Sequence, residues 1–223
     1  MDVGSAFTFM FDDEAWVKKL AIGGGIIIGG LIFLPILIGL ALLLVINGYI
    51  LLTLKNVRDG RSIPLPEWSD FGDLFSKGLM VFVIWFVYHL PALIFLCLSS
   101  ATNPIIISQL GIGSEISDTL RYIYFCFLCF EYTLFFLGSV MFPAALIRYA
   151  QYDTLGSAFH FREIFSFISG NIGNYIIVIL LKMVAGLIAV FGFMLCFVGI
   201  FFAGFWSILV GANLYGQLAK EAG

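Results

Sequence analysis

Charged residues are scarce in this sequence. Only 11% of the 223 residues are charged and 61% are hydrophobic, whereas a soluble domain carries about a quarter charged residues. The scarcity is uneven, because the ranges 20–54 and 183–219 contain no charged residue at all. Each of these blocks is far longer than the roughly 20 apolar residues that cross a bilayer as one helix. The missing charge therefore excludes an ordinary soluble domain and predicts a polytopic membrane protein whose surroundings are the lipid bilayer.

Sequence signals of several other protein classes are also missing. The net charge is -3 and Lys and Arg form no cluster, which excludes the basic surface that nucleic-acid binding requires. The apolar blocks do not alternate with polar residues, as the strands of a transmembrane barrel do. The sequence contains no P-loop, no HExxH motif and no recognisable catalytic triad. We therefore expect no catalytic activity, no cofactor and no metal site.

The lengths of the apolar blocks predict six membrane spans. A single helix over 13–58 would be about 69 Å long, more than twice the hydrocarbon thickness, so we divide it near Pro35. The block 169–218 is equally long and divides near Gly192. The predicted spans are about 13–33, 36–58, 78–100, 119–147, 169–191 and 194–218. The predicted fold is an all-α membrane protein, a single transmembrane domain over 1–223. Its six transmembrane helices form three hairpins, with short interfacial amphipathic helices on the cytoplasmic side.

The positions of the cations orient these spans. Most of the eleven cations fall on one side, namely Lys18, Lys19, Lys55, Arg58, Arg61, Lys77, Arg148, Arg162 and Lys220. The polar loop on the other side, 101–118, contains Glu115 and Asp118 but neither Lys nor Arg. Positively charged loops remain on the cytoplasmic side of a membrane. We therefore expect a multi-pass protein of the cell membrane with both termini in the cytoplasm.

The most polar stretch, LPEWSDFGDLF at 65–75, combines three acids with three aromatic residues. A helix that begins near Pro66 would have two distinct faces. The aromatic face would carry Trp68, Phe71, Phe75 and Leu79, and the acidic face Glu67, Asp70 and Asp73. We interpret the stretch as an interfacial helix that leads into the span at Gly78. It either anchors that span or forms a partner-binding surface, for which the candidates are Glu67, Trp68, Asp70 and Asp73.

Five features of the sequence resemble one family. They are the GY of Gly48 and Tyr49, KNVRDG at 55–60, LPEW at 65–68, FGDLFSKGL at 71–79, and Pro91 within the following span. Together they resemble a prokaryotic membrane-protein family catalogued as domain of unknown function 4013. The resemblance covers essentially the whole chain and implies a multi-pass membrane protein. It implies no activity, cofactor or site.

Three ionisable residues stand out because they lie far from the ends of predicted spans: His89, Glu131 and Lys182. With a rise of about 1.5 Å per residue, all three fall near the middle of the bilayer. Ionisable groups at this depth are costly and often functional. A Glu and a Lys with a His nearby form either a buried ion pair or a pathway for protons or ions. The alternatives are a static pair and a Lys182 side chain that extends to the membrane interface.

The cysteines carry a weak signal for chemistry. Cys97, Cys126, Cys129 and Cys196 all fall in predicted spans, and CFLC at 126–129 has the CxxC spacing of redox and metal sites. No second pair of Cys or His follows it. We interpret the four residues as small hydrophobic side chains.

Two functions remain compatible with these features. The first is a non-catalytic scaffold or accessory subunit of a membrane complex, which contacts other membrane-protein subunits through its cytoplasmic face. The alternative is a small ion- or proton-coupled transporter or channel that uses His89, Glu131 and Lys182. Gly25 and Gly29 have GxxxG spacing, which serves close packing within the subunit or, alternatively, a homo-oligomer.

Overall fold

A computed structural model describes residues 1–109, 111, 114–195 and 197–221. Within these ranges the chain forms helices and no strand. The α-helices are α1 (Val3–Thr8), α2 (Trp16–Ile32), α3 (Ile38–Arg58), α4 (Phe71–Ala101), α5 (Pro104–Gln109), α6 (Ser114–Tyr152), α7 (Phe161–Gly170), α8 (Ile172–Val190) and α9 (Gly199–Glu221). Short 3-10 turns occupy Phe9–Asp12, Leu34–Ile36, Leu155–Phe159 and Phe191–Met194. The predicted all-helical class is confirmed.

Several helices are long and apolar enough to cross a membrane. Five segments meet this criterion: Ile38–Arg58, Phe71–Gln109, Asp118–Tyr152, Ile172–Met194 and Gly199–Glu221. A sixth results if the segments Val3–Asp12 and Trp16–Ile32, which are bent by 98°, count as one span. These lengths support a membrane protein. The arrangement of six spans as three hairpins remains a prediction.

The described residues divide into two compact units. The first unit comprises Met1–Phe82 and Ala144–Gly223, and the second unit comprises Val83–Pro143. The long helices α4 and α6 each contribute residues to both units. The single domain over 1–223 remains a prediction.

In the first unit, α9 packs against α1, α2, α3 and α8. One buried cluster consists of Phe9, Met10, Val45, Ile46, Tyr49, Leu65, Leu74, Phe205 and Leu209. Glycines allow α3 to approach the first turns of α4. A Cβ atom on Gly48 would overlap the carbonyl oxygen of Leu74, and one on Gly78 would overlap that of Leu44. The backbones of the two helices are therefore in direct contact.

In the second unit, α4 and α6 meet through a small residue and aromatic rings. A Cβ atom on Gly138 would lie 2.7 Å from the carbonyl oxygen of Tyr88, so the backbones are close there. The ring of Phe95 packs edge-on against Phe127 and in a stacked orientation on Phe130, at centroid distances of 6.0 and 5.2 Å. Within Asp118–Tyr152, only 6% of the 18-residue stretch that is apolar enough to cross a membrane is buried. Most of this helix surface is thus available to lipid or to another protein.

The helix predicted to begin near Pro66 is wrong over its first half. Residues 61–70 are not helical, and α4 begins at Phe71, upstream of the span start predicted at Gly78. The carbonyl oxygens of Pro64, Leu65 and Pro66 accept hydrogen bonds from Asn56 Nδ2, Lys19 Nζ and Tyr49 Oη, at 2.8, 3.1 and 3.0 Å. Asp70 Oδ1 then accepts from the backbone N–H of Asp73 at 2.9 Å, as a helix cap does. Tertiary hydrogen bonds therefore replace helical ones before Asp70.

Candidate functional site

A buried lysine lies at the start of α2 and binds two carboxylates. Lys19 Nζ is 2.7 Å from Asp13 Oδ2 and 2.5 Å from Glu67 Oε1. The side chains of Lys19 and Asp13 are 3% and 7% exposed, whereas that of Glu67 is 70% exposed. An ammonium group buried to this degree requires a compensating charge and further acceptors. Asp13 supplies the buried charge and Glu67 completes the cluster at the surface.

Sequence reasoning missed this ion cluster. The charge pattern predicts that Lys18 and Lys19 are both cytoplasmic cations, but only Lys18 is exposed in the structure. The one available signal was the position of Lys19, immediately before the charge-free block, at 20–54. Its second carboxylate is 48 positions away in the chain, at Glu67. No local periodicity connects two such residues.

The side chain of Trp68 contacts both α2 and α3. Its ring stacks on Tyr49, with a centroid distance of 4.1 Å and an angle of 16° between the rings. Trp68 Nε1 donates a hydrogen bond to the carbonyl oxygen of Lys19 at 3.2 Å. Tyr49 belongs to the GY motif and Trp68 to the LPEW motif, two of the features that resemble the family. These motif residues thus hold the 61–70 connection against α2 and α3.

The four residues of the predicted partner surface all have partners within the chain. Glu67 pairs with Lys19, and Trp68 stacks on Tyr49. Asp70 caps α4, and Asp73 forms an ion pair with Lys77 one turn later. These contacts explain the residues as a structural connection. A role in binding another protein remains a prediction.

Lys182 is an exposed cation within the apolar helix α8. It lies ten residues after Ile172, about 15 Å along the helix. Its aliphatic stem packs on Gly211, where an added Cβ would lie 3.4 Å from Cδ of the lysine. Its Nζ donates to Tyr215 Oη at 3.1 Å and lies 5.2 Å from the centre of that ring. Within the described part of the first unit, no carboxylate pairs with it.

His89 lies in the second unit and is only 1% exposed. Its Nδ1 is 2.9 Å from the carbonyl oxygen of Trp85 and its Nε2 is 3.3 Å from Ser139 Oγ. Because a carbonyl oxygen only accepts, Nδ1 is the donor in the first of these bonds. The imidazole also stacks on the Trp85 ring at 4.7 Å. The histidine is therefore a fixed contact between α4 and α6.

Glu131 also lies in the second unit and is bound by a buried serine. Ser99 Oγ donates to Glu131 Oε2 at 2.8 Å, and Ser99 is 3% exposed. His89 and Ser99 are ten residues apart on α4, about 15 Å along its axis, so His89 and Glu131 have separate serine partners. Lys182 belongs to the first unit. The ion pair of Glu131 with Lys182 remains a prediction.

The described residues contain no group of three His, Cys, Asp or Glu side chains that could hold a metal ion. Cys97, Cys126 and Cys129 are free thiols and are exposed in the structure. The interpretation of these cysteines as small hydrophobic side chains remains a prediction. Cys196 lies outside the described residues.

The comparison with known proteins gives one assignment. No curated protein and no solved structure shows a significant match to this sequence. The sequence profile of one family matches residues 14–198, a range that includes Lys19 and Glu67, the Tyr49 and Trp68 stack, and His89, Glu131 and Lys182. The chain therefore belongs to the family described as protein of unknown function DUF4013.

Proposed function

We propose that this protein is a non-catalytic accessory subunit of a membrane complex and that the Lys182 face of α8 contacts its partner. The observation that carries this proposal is the position of Lys182, exposed and about 15 Å along an apolar helix. A lysine near the middle of a bilayer costs about 2.5 to 3.5 kcal/mol. Tyr215 supplies one hydrogen bond and no charge. A carboxylate within a transmembrane helix of another subunit would neutralise the cation.

The experiment is affinity purification from native membranes in a mild detergent. A stoichiometric partner with an acidic residue in a membrane span should copurify with the wild type and with Lys182→Arg. Lys182→Met should lose it, because the methionine keeps the length of the side chain but not its charge. Lys18→Met, which removes an exposed cation at the end of α2, is the control and should retain the partner. If Lys182→Met retains the partner, the Lys182 face of α8 is not the contact surface. If no partner copurifies with the wild type, the accessory-subunit proposal is wrong.

A small proton- or ion-coupled transporter is the second candidate. One observation favours it: the second unit contains two polar pairs along α4 and α6, His89 with Ser139 and Glu131 with Ser99. Flux across proteoliposomes of the purified protein tests this function. Flux that is lost in Glu131→Gln and retained in Lys182→Met would favour the transporter over the accessory subunit.

We also propose that both termini lie in the cytoplasm of a cell-membrane protein. The distribution of cations supports this orientation. So does the proximity of the two ends, because the Met1 ammonium group forms an ion pair with Glu221, and Asp2 N donates to Gln217 Oε1 at 2.6 Å. Reporter fusions at each end test the orientation. A reporter that is active only on the outer side at either end would contradict it.

A further inference from the structure

The first unit contains a cavity of about 550 Å3 that the proposed function does not use. Its walls come from α1 and the turn that follows it, from the end of α3 and the connection after it, and from the last turns of α9. Two hydrogen bonds join residues that line the cavity. Gln217 Nε2 donates to Asn213 Oδ1 at 2.8 Å, and Gln217 Oε1 accepts from Asp2 N. The cavity thus lies at the ends of two apolar helices and has polar side chains in its wall.

Three charged side chains line this cavity without a partner. Asp12, Arg61 and Lys220 are exposed, and their side chains form no hydrogen bond or ion pair with the part of the chain that the structure describes. Glu221 differs from them, because its oxygens are bound by the Met1 ammonium and by Asn174 Nδ2. Asp12 and Arg61 have opposite charges and border the same cavity, yet do not pair. A ligand that carries both charges would satisfy both.

We propose that this cavity binds a zwitterionic phosphoethanolamine group, with its ammonium at Asp12 and its phosphate at Arg61 and Lys220. The two unpaired cations and the one unpaired carboxylate of the lining match a phosphate joined to one ammonium. The guanidinium of Arg61 suits a phosphate because its N–H groups form a fixed fork, and Lys220 adds a point charge. The group could be the head of a phospholipid, since α3 and α9 end here, or a soluble phosphoethanolamine. This inference does not depend on the proposed function.

The test measures binding by native mass spectrometry of the delipidated protein in detergent. The probes are phosphatidylethanolamine, phosphatidylcholine, phosphatidylglycerol and soluble O-phosphoethanolamine. We expect phosphatidylethanolamine to bind at least about tenfold more tightly than phosphatidylcholine, because a quaternary ammonium has no N–H to donate to Asp12. We expect phosphatidylglycerol, which lacks an ammonium, to bind weakly as well. Binding of O-phosphoethanolamine identifies a soluble ligand, and binding of the lipid alone identifies a membrane ligand.

Matched variants locate the site. Asp12→Asn and Arg61→Gln should each weaken phosphatidylethanolamine binding by about tenfold. The controls are Glu14→Gln and Arg162→Gln, which remove exposed charges of the same sign outside the cavity and should leave binding unchanged. All four positions are exposed, so unchanged melting temperatures should confirm that the variants fold. Tighter binding of phosphatidylglycerol than of phosphatidylethanolamine, or an Asp12→Asn variant that binds like the wild type, overturns the proposal.

Discussion

The indole of Trp68 lies flat on the ring of Tyr49, with the two ring centroids 4.1 Å apart. Tyr49 is fully buried in α3 and its hydroxyl donates to the carbonyl oxygen of Pro66, two positions before the indole. Tyr49 thus holds the same short segment through both its ring and its hydroxyl group. Phe205 of α9 also approaches both rings, at 5.7 and 6.1 Å. The connection before α4 is therefore part of the core of the first unit and not a free surface loop.

Replacement of Trp68 should release this connection. We expect Trp68→Ala to lower the free energy of unfolding by about 2 to 3 kcal/mol, because the half-buried ring and its stacking are both lost. Phe165→Ala is the control, since Phe165 is 60% exposed in α7, and it should cost less than about 1 kcal/mol. Unfolding in detergent measures the loss, and proteolysis should cut Trp68→Ala faster within 61–70. Equal losses for the two variants would contradict the structural role of the stack.

Removal of the Lys19 charge should be more damaging than removal of the Glu67 charge. Lys19→Met leaves the carboxylate of Asp13 buried without its cation and should cost about 3 to 5 kcal/mol. Glu67→Gln affects a group that is 70% exposed and should cost at most about 1 kcal/mol. The double variant Asp13→Asn with Lys19→Met should recover part of the stability, because no buried charge remains unpaired and the Glu67 carboxylate is exposed to solvent. Unfolding in detergent compares the three, and no recovery in the double variant would count against a buried ion pair.

Helix contact should depend on particular glycines and not on GxxxG spacing. Gly78→Ala places a methyl group against the backbone of α3 and should cost about 1 to 3 kcal/mol. Gly25→Ala is the matched control. Nothing within the described residues lies within 4 Å of a Cβ at this position, and alanine favours a helix, so the variant should be neutral or slightly stabilising. Melting temperatures in detergent test both; a homo-oligomer packed through Gly25 would instead dissociate in Gly25→Ala.

Two neighbouring serines on α4 should behave differently. Ser99 is buried and donates to Glu131, whereas Ser100 is exposed. Ser99→Ala should lower stability by about 0.6 to 1.5 kcal/mol, the usual range for one such hydrogen bond between membrane helices. Ser100→Ala should have no measurable effect. A double-mutant cycle with Glu131→Gln measures the interaction, and independent effects of Ser99→Ala and Glu131→Gln would mean that the two side chains do not interact.

Local sequence features predicted the positions of the helices more accurately than the contacts between side chains. The charge-free block 20–54 contains most of α2, a 3-10 turn and most of α3, and the predicted division near Pro35 falls in that turn. The sequence predicts these positions because length and apolar content are local properties. The helix from Pro66 was wrong because the helical spacing of Trp68, Phe71 and Phe75 carries no information about distant donors that compete for the backbone carbonyl oxygens. The carbonyl oxygen of Pro66 is used by Tyr49, 17 positions earlier. No pattern within the stretch itself reveals that bond.

The sequence by itself determined that this chain is helical and apolar enough for a membrane. Each charged residue in a span adds its own cost of burial in lipid, so long ranges without charge are informative without any knowledge of tertiary contacts. It also placed Lys182 within an apolar helix. Only the tertiary structure decided that Lys19 is buried while Lys18 is exposed, and that Trp68 packs on Tyr49. Those outcomes depend on which side chains meet after the helices pack, because a buried charge or indole N–H is stable only where a distant partner is in reach.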